Sequence, residues 1–165
     1  MNDDKITQQR ATAVALLRIT LGIVILATWY GNLNKGLYTA DGLTGFLNWL
    51  FDPNGNGSSL GFYKAFLDTA VIPVAGPFSA FQLVTELLLG IALTVGLFTR
   101  LAGLVAMFFF TNLFFSYFGG NEWIWLYVLL FMTAFTVTLS AAGRQWGVDQ
   151  WLQQKYRESK LSILW

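Results

Sequence analysis

The 165-residue chain is 55% hydrophobic and 17% aromatic, and only 12% of it is charged, about half the share of a soluble domain. With a mean hydropathy of +0.54 it cannot cover itself with an ordinary polar surface, which argues against a compact soluble domain and excludes intrinsic disorder. It has no Cys and no His, and its net charge is +1. That removes disulfides, thiol chemistry, the usual metal, haem and Fe–S ligands and the Ser-His-Asp and Cys-His nucleophile systems, and leaves no basic field for nucleic acid.

A spanning helix needs about 20 mostly apolar residues. The first such run is 11–30, broken only by Arg18. It is too long for the apolar core of a signal peptide, about 7–15 residues, and ends in Ala27-Thr28-Trp29-Tyr30, which is no small-x-small cleavage site. Residues 31–77 then carry two short apolar-rich stretches, 42–51 and 60–71, separated by the turn-forming 52–59. They read as amphipathic helices lying on the membrane face. Pro73 and Pro77 mark the start of the second span, 78–97, broken only by Glu86. The third and fourth, 101–118 and 123–142, carry no charge. Phe98-Thr99-Arg100 and Gly119-Gly120-Asn121-Glu122 connect them, and such short links imply antiparallel neighbours. In the tail, Val148, Trp151, Leu152 and Tyr156 recur at helical spacing, with Asp149 placed to favour that helix's N-terminus.

The expected fold is an all-α integral membrane protein. It is a four-transmembrane-helix bundle forming one membrane domain over 1–165, with short amphipathic helices in the first extracytoplasmic loop and a C-terminal interfacial helix. Lys5, Arg10, Arg100, Arg144, Lys155, Arg157 and Lys160 fall on one side and Lys35 and Lys64 on the other. Positive charge collects inside, so both termini are expected in the cytoplasm. Trp29, Tyr30, Trp123 and Trp125 then sit at the outer interface and Trp146 at the inner one.

Arg18 and Glu86 are the two ionisable residues inside spans. Each costs on the order of 3 kcal/mol at mid-membrane, so pairing is the economical solution. Arg18 lies roughly 12 Å and Glu86 roughly 21 Å from the inner side at 1.5 Å per residue, a gap that an arginine side chain covers in part. A buried pair that only sets helix register competes with a core site for protons or a quinone. Gln82, Thr85 and Glu86 share one helix face. Asn112 has a depth similar to Glu86, and Thr133, Thr136 and Ser140 share a face of the fourth span. They could line a polar cavity, although ordinary interhelical hydrogen bonding explains Thr and Ser better. Phe108, Phe109, Phe110, Phe114, Phe115 and Phe118 suit lipid contact and core packing, and only weakly a quinone slot.

Three stretches together resemble the DoxX/DoxD membrane proteins: Leu16-Leu17-Arg18-Ile19-Thr20-Leu21-Gly22, with Gly31 and Lys35 after it; Glu86 to Leu93 running into Gly96 to Ala102; and Gly143-Arg144-Gln145-Trp146-Gly147-Val148-Asp149. The resemblance covers about residues 12–152. The long first extracytoplasmic segment is more similar to the DoxD branch, the membrane subunit of thiosulfate:quinone oxidoreductase. That enzyme oxidises thiosulfate to tetrathionate, passes the electrons to quinone and works with a DoxA subunit. Arg18 and Glu86 match charged positions of the family pattern, and the resemblance implies a separate DoxA-like partner and a bacterial or archaeal cytoplasmic membrane. Joined to the polar residues above, it leads to the expectation of Arg18 and Glu86 as catalytic residues with Gln82, Asn112 and Thr133 beside a bound quinone. It implies fold more strongly than reaction. A non-catalytic accessory subunit of a larger membrane complex is the alternative; a transporter finds little support without broken helices or an inverted repeat.

Overall fold

The computed structural model describes residues 3–156 and 158–165. Arg157, counted above among the tail's cations, lies outside them. The described residues are mostly helical, in the order α1 (Asp3–Asn34), α2 (Ala40–Phe51), α3 (Gly61–Phe66), α4 (Ala75–Val95), α5 (Thr99–Tyr117), α6 (Trp125–Leu139) and α7 (Val148–Lys155), joined by turns, loops and short 3-10 and π stretches.

Three helical stretches are long and apolar enough to cross a membrane: α1, the continuous rod 61–95, and α5. α1 begins two turns before its apolar run, with Asp3 and Asp4 in the first turn, where their charge suits the helix dipole. The fourth apolar run is helical only over the 15 residues of α6, roughly 22 Å against a hydrocarbon core of about 30 Å. It stops early because Ala141 takes a left-handed conformation.

α2 is an amphipathic helix, as its pattern predicts. Thr39 caps it, its hydroxyl accepting from the Gly42 N–H at 3.1 Å, and Leu43, Leu47 and Leu50 are its buried stripe. The second amphipathic stretch is not a separate element. α3 continues through a π turn (Leu67–Val71) and a 3-10 turn (Ile72–Val74) into α4. Pro73, which has no N–H to donate, accounts for the break in the α-helical ladder without ending the rod. The turn 52–59 is pinned to the far end of α5. The Ser58 hydroxyl donates to the Ser116 carbonyl at 2.6 Å, and the Ser59 N–H to the Phe118 carbonyl at 2.9 Å.

α1 packs along α4, and α5 along α6. Small residues permit the approach: a side chain at Gly22 would strike Thr94, one at Gly90 would strike Leu26, and one at Gly103 would strike Thr138. Two apolar clusters result. One joins Leu21, Ile25, Leu89, Leu93, Ala106, Phe110 and Val137 across the bundle. The other joins Leu43, Leu47 and Leu50 of α2 to Tyr63, Leu67 and Ala75. The end with the second cluster is called the loop end below, and the end with the chain termini the terminal end. Phe108 (72% exposed), Leu139 (65%) and Leu88 (60%) face outward, the surface of a protein solvated by lipid.

Candidate functional site

Arg18 and Glu86 are both buried, at 0% and 2% exposure, but the structure does not pair them. Gly22 lies against Thr94 and Gly90 against Leu26. This antiparallel register places Glu86 beside residue 30, about 12 residues or roughly 18 Å along α1 from Arg18. No side chain spans that. The expected pair is two separate sites, one near each end of the bundle.

At the loop end, Glu86 shares the buried face of α4 with Ser79, Leu89 and Leu93. The Tyr38 hydroxyl donates to Glu86 Oε2 at 2.6 Å, and the Gln82 amide to Oε1 at 2.8 Å. Gln82 is one helical turn from Glu86, so this contact follows from the sequence spacing. Tyr38 comes from the turn after α1. Trp29 helps to hold α1 there, its indole N–H donating to the Leu83 carbonyl at 3.1 Å. Burial first, and then the hydrogen bond to Glu86 and that residue's charge, push the Tyr38 phenol well above its ordinary value. Tyr38 therefore stays a neutral donor. Both oxygens of the buried Glu86 carboxyl are thus held by neutral side-chain donors from this chain.

Neither of the other expected quinone contacts joins this cluster through a hydrogen bond. Asn112 accepts from the Tyr63 hydroxyl at 2.9 Å and donates to the Phe108 carbonyl at 2.7 Å. Thr133 donates to the Leu129 carbonyl of its own helix at 2.8 Å, and Thr136 likewise to Met132.

At the terminal end, Arg18 donates to the Trp146 carbonyl at 3.1 Å and lies within Coulombic reach of Asp149. Asp149 is fully buried. Its carboxylate accepts from the Phe98 N–H at 2.7 Å and the Thr99 N–H at 2.8 Å, and its own N–H donates to the Gly96 carbonyl at 2.9 Å. Asp149 lies in the first turn of α7, as its position in the sequence predicts, and its side chain also caps α5, satisfying donors at that helix's N-terminus. Gly96 turns the chain at φ 71°. A side chain at Gly96 or Gly147 would strike the Arg18 guanidinium, and one at Gly143 the Asp149 carboxylate. Among the described residues the non-glycine positions at positive φ, Phe98, Ala141 and Trp146, belong to this knot or adjoin it. Each costs about 1–2 kcal/mol, which the surrounding contacts must offset.

The tail differs from the single interfacial helix expected. α7 ends at Lys155, and after a 3-10 turn (Lys160–Leu164) the buried Trp165 ring packs 6.1 Å from Phe98. Arg144 donates to the Trp165 main-chain oxygen at 2.8 Å. Trp151, at 54% exposure, keeps the outward position of an interfacial anchor.

Sequence reasoning missed Tyr38, the Trp146 carbonyl and the capping role of Asp149. The signal available was the difference in depth between Arg18 and Glu86. Two intramembrane charges at different levels each need their own partners.

A search of curated proteins and a search of solved structures found no match. A family model described as TQO small subunit DoxD matches residues 14–165. The match takes in both buried sites and runs through the post-α6 segment that closes on Arg18. The chain belongs to the DoxD family.

Proposed function

We propose that this chain is the quinone-facing membrane subunit of a quinone-linked oxidoreductase of the thiosulfate:quinone type. Glu86, Tyr38 and Gln82 form its proton-handling site. The observation that carries the reading is the buried Glu86 carboxyl held by two neutral donors. Arg18 and Asp149 belong instead to the scaffold that sets the helix ends.

Two thiosulfate ions joining as tetrathionate release two electrons, and a quinone taking them up needs two protons. This chain lacks Cys and His, so the proton side of that balance is the part its own residues can supply. Gln82 suits a quinone carbonyl because its amide has a second N–H beyond the one given to Glu86, and in this reading Glu86 holds and releases a proton at its carboxyl oxygen. Tyr38 links Glu86 to the turn after α1, and the apolar clusters take in Leu89 and Leu93 of α4 beyond Glu86 and Ala75 before it. Asn112 and Thr133 keep their present hydrogen bonds in this reading and serve packing. Thiosulfate oxidation falls to a separate partner subunit.

A second reading, an accessory subunit without chemistry, draws on one observation: both Glu86 oxygens already have donors from this chain. Purification of the complex in mild detergent separates the two. The catalytic reading expects a co-purifying subunit and thiosulfate-dependent reduction of a short-chain quinone. A stable complex with no quinone turnover supports the accessory reading.

A further inference from the structure

Beside the Arg18 knot lies a second feature that the proposed chemistry does not use. A cleft of about 290 Å³ opens between the start of α1 and the turn after α6. Arg10, Arg144, Gln145 and Ser140 bring polar groups to it, with Val14 and alanines as its apolar wall. Two guanidinium groups line it and no carboxylate does. Arg144 is held in place through its bond to the Trp165 main-chain oxygen. An anion is the acceptor that suits guanidinium N–H groups best. Position narrows the class of anion. Leu17, one turn beyond Val14 on α1, and Leu139, immediately before Ser140, are both exposed. A molecule whose head fills the cleft can therefore lay an apolar tail on lipid-facing helix surface. The volume lies near the lower end of small-ligand clefts, about 300 Å³, which suits a headgroup rather than a whole amphiphile.

We propose that this cleft binds the phosphodiester headgroup of an anionic phospholipid. Basic clefts between helix ends at a membrane surface have this use in general. Arg10 supplies an exposed cation and Arg144 an oriented one. The bound lipid braces the start of α1 against the segment that carries Trp146 and Asp149 to Arg18.

The test is native mass spectrometry of the delipidated full-length chain with phosphatidylglycerol, phosphatidylcholine of the same acyl chains, or sn-glycerol 3-phosphate. The wild-type chain is expected to retain phosphatidylglycerol in preference to phosphatidylcholine. Arg10→Gln weakens that retention about fivefold, the value of one interfacial cation. Arg10→Gln with Arg144→Gln abolishes the preference, whereas Lys5→Gln with Lys155→Gln, the same charge change at exposed sites, preserves it. Arg144 also holds Trp165, so Arg10→Gln alone decides the question if the double variant does not fold. Equal retention of both lipids, or an unchanged preference in Arg10→Gln, overturns the proposal. Binding of glycerol phosphate as tight as that of the lipid overturns it too, because the cleft would then serve a soluble anion.

Discussion

The two ends of the bundle hold their buried ionisable residues in opposite ways. At the terminal end a guanidinium faces a carboxylate across a main-chain scaffold. Asp149 caps α5, Arg18 binds the Trp146 carbonyl, and glycines at 96, 143 and 147 clear the space. Those partners are mostly backbone, and their geometry ties together loops far apart in the chain. At the loop end, among the described residues, Glu86 is held by two neutral side chains, Tyr38 and Gln82. Side-chain donors can rotate away and return, and peptide groups inside capped turns cannot. The first arrangement is suited to holding, and the proposed proton exchange rests on the mobility of the second.

The contrast breaks most visibly if the knot is opened. Asp149→Ala leaves α5 uncapped and Arg18 without its counter-charge. A guanidinium does not escape by losing its proton, so the expected loss is about 3–5 kcal/mol, read as a lower melting temperature in detergent. Arg18→Met is expected to cost less, because Asp149 keeps its two N–H donors. Equal losses would mean that capping contributes little.

Tyr38→Phe comes next. It removes one hydrogen bond to a carboxyl group and is expected to cost about 1.5–3 kcal/mol, while lowering quinone turnover by more than that loss of folded protein explains. A change in melting temperature without a change in turnover per folded molecule would return Tyr38 to a purely structural role.

Arg18→Met combined with Glu86→Gln sharpens the separation of the two sites. Sites this far apart should add to within about 0.5 kcal/mol in a double-mutant cycle. Rescue of either single substitution by the other would restore the direct pair that the helix register rules out. Thr133→Val is the smallest case, expected within about 0.5 kcal/mol in stability and neutral in turnover, because its hydroxyl serves the Leu129 carbonyl of its own helix.

Much of this fold is legible in the sequence because lipid imposes length and apolarity on any spanning helix. α4 and α5 follow their apolar runs closely, α1 contains its run and extends beyond it at both ends, and α2 shows in the spacing of Leu43, Leu47 and Leu50. The short α6 is not legible, since its limit is the backbone conformation of Ala141 rather than a change in hydropathy. At the sites, charge inside apolar runs marks Arg18 and Glu86, and i,i+4 spacing marks Gln82. Their other partners carry no such mark. A carbonyl 128 positions away has no side-chain signature. Tyr38 stands in a turn like any interfacial tyrosine. Asp149 shows its place in the first turn of its own helix, but not its second role, which depends on the antiparallel return of α4 and α5 bringing another N-terminus to it.

The central claim is that Glu86 does chemistry while the Arg18–Asp149 knot only holds the fold. The most direct measurement is thiosulfate-dependent quinone reduction by the purified complex carrying Glu86→Gln, normalised to folded protein by its melting transition. The amide keeps the size of the side chain but cannot hold an exchangeable acid proton. The account predicts a melting temperature near that of the unsubstituted complex and turnover reduced about 100-fold or more, the usual scale for a lost general acid–base. Wild-type turnover by Glu86→Gln would contradict it.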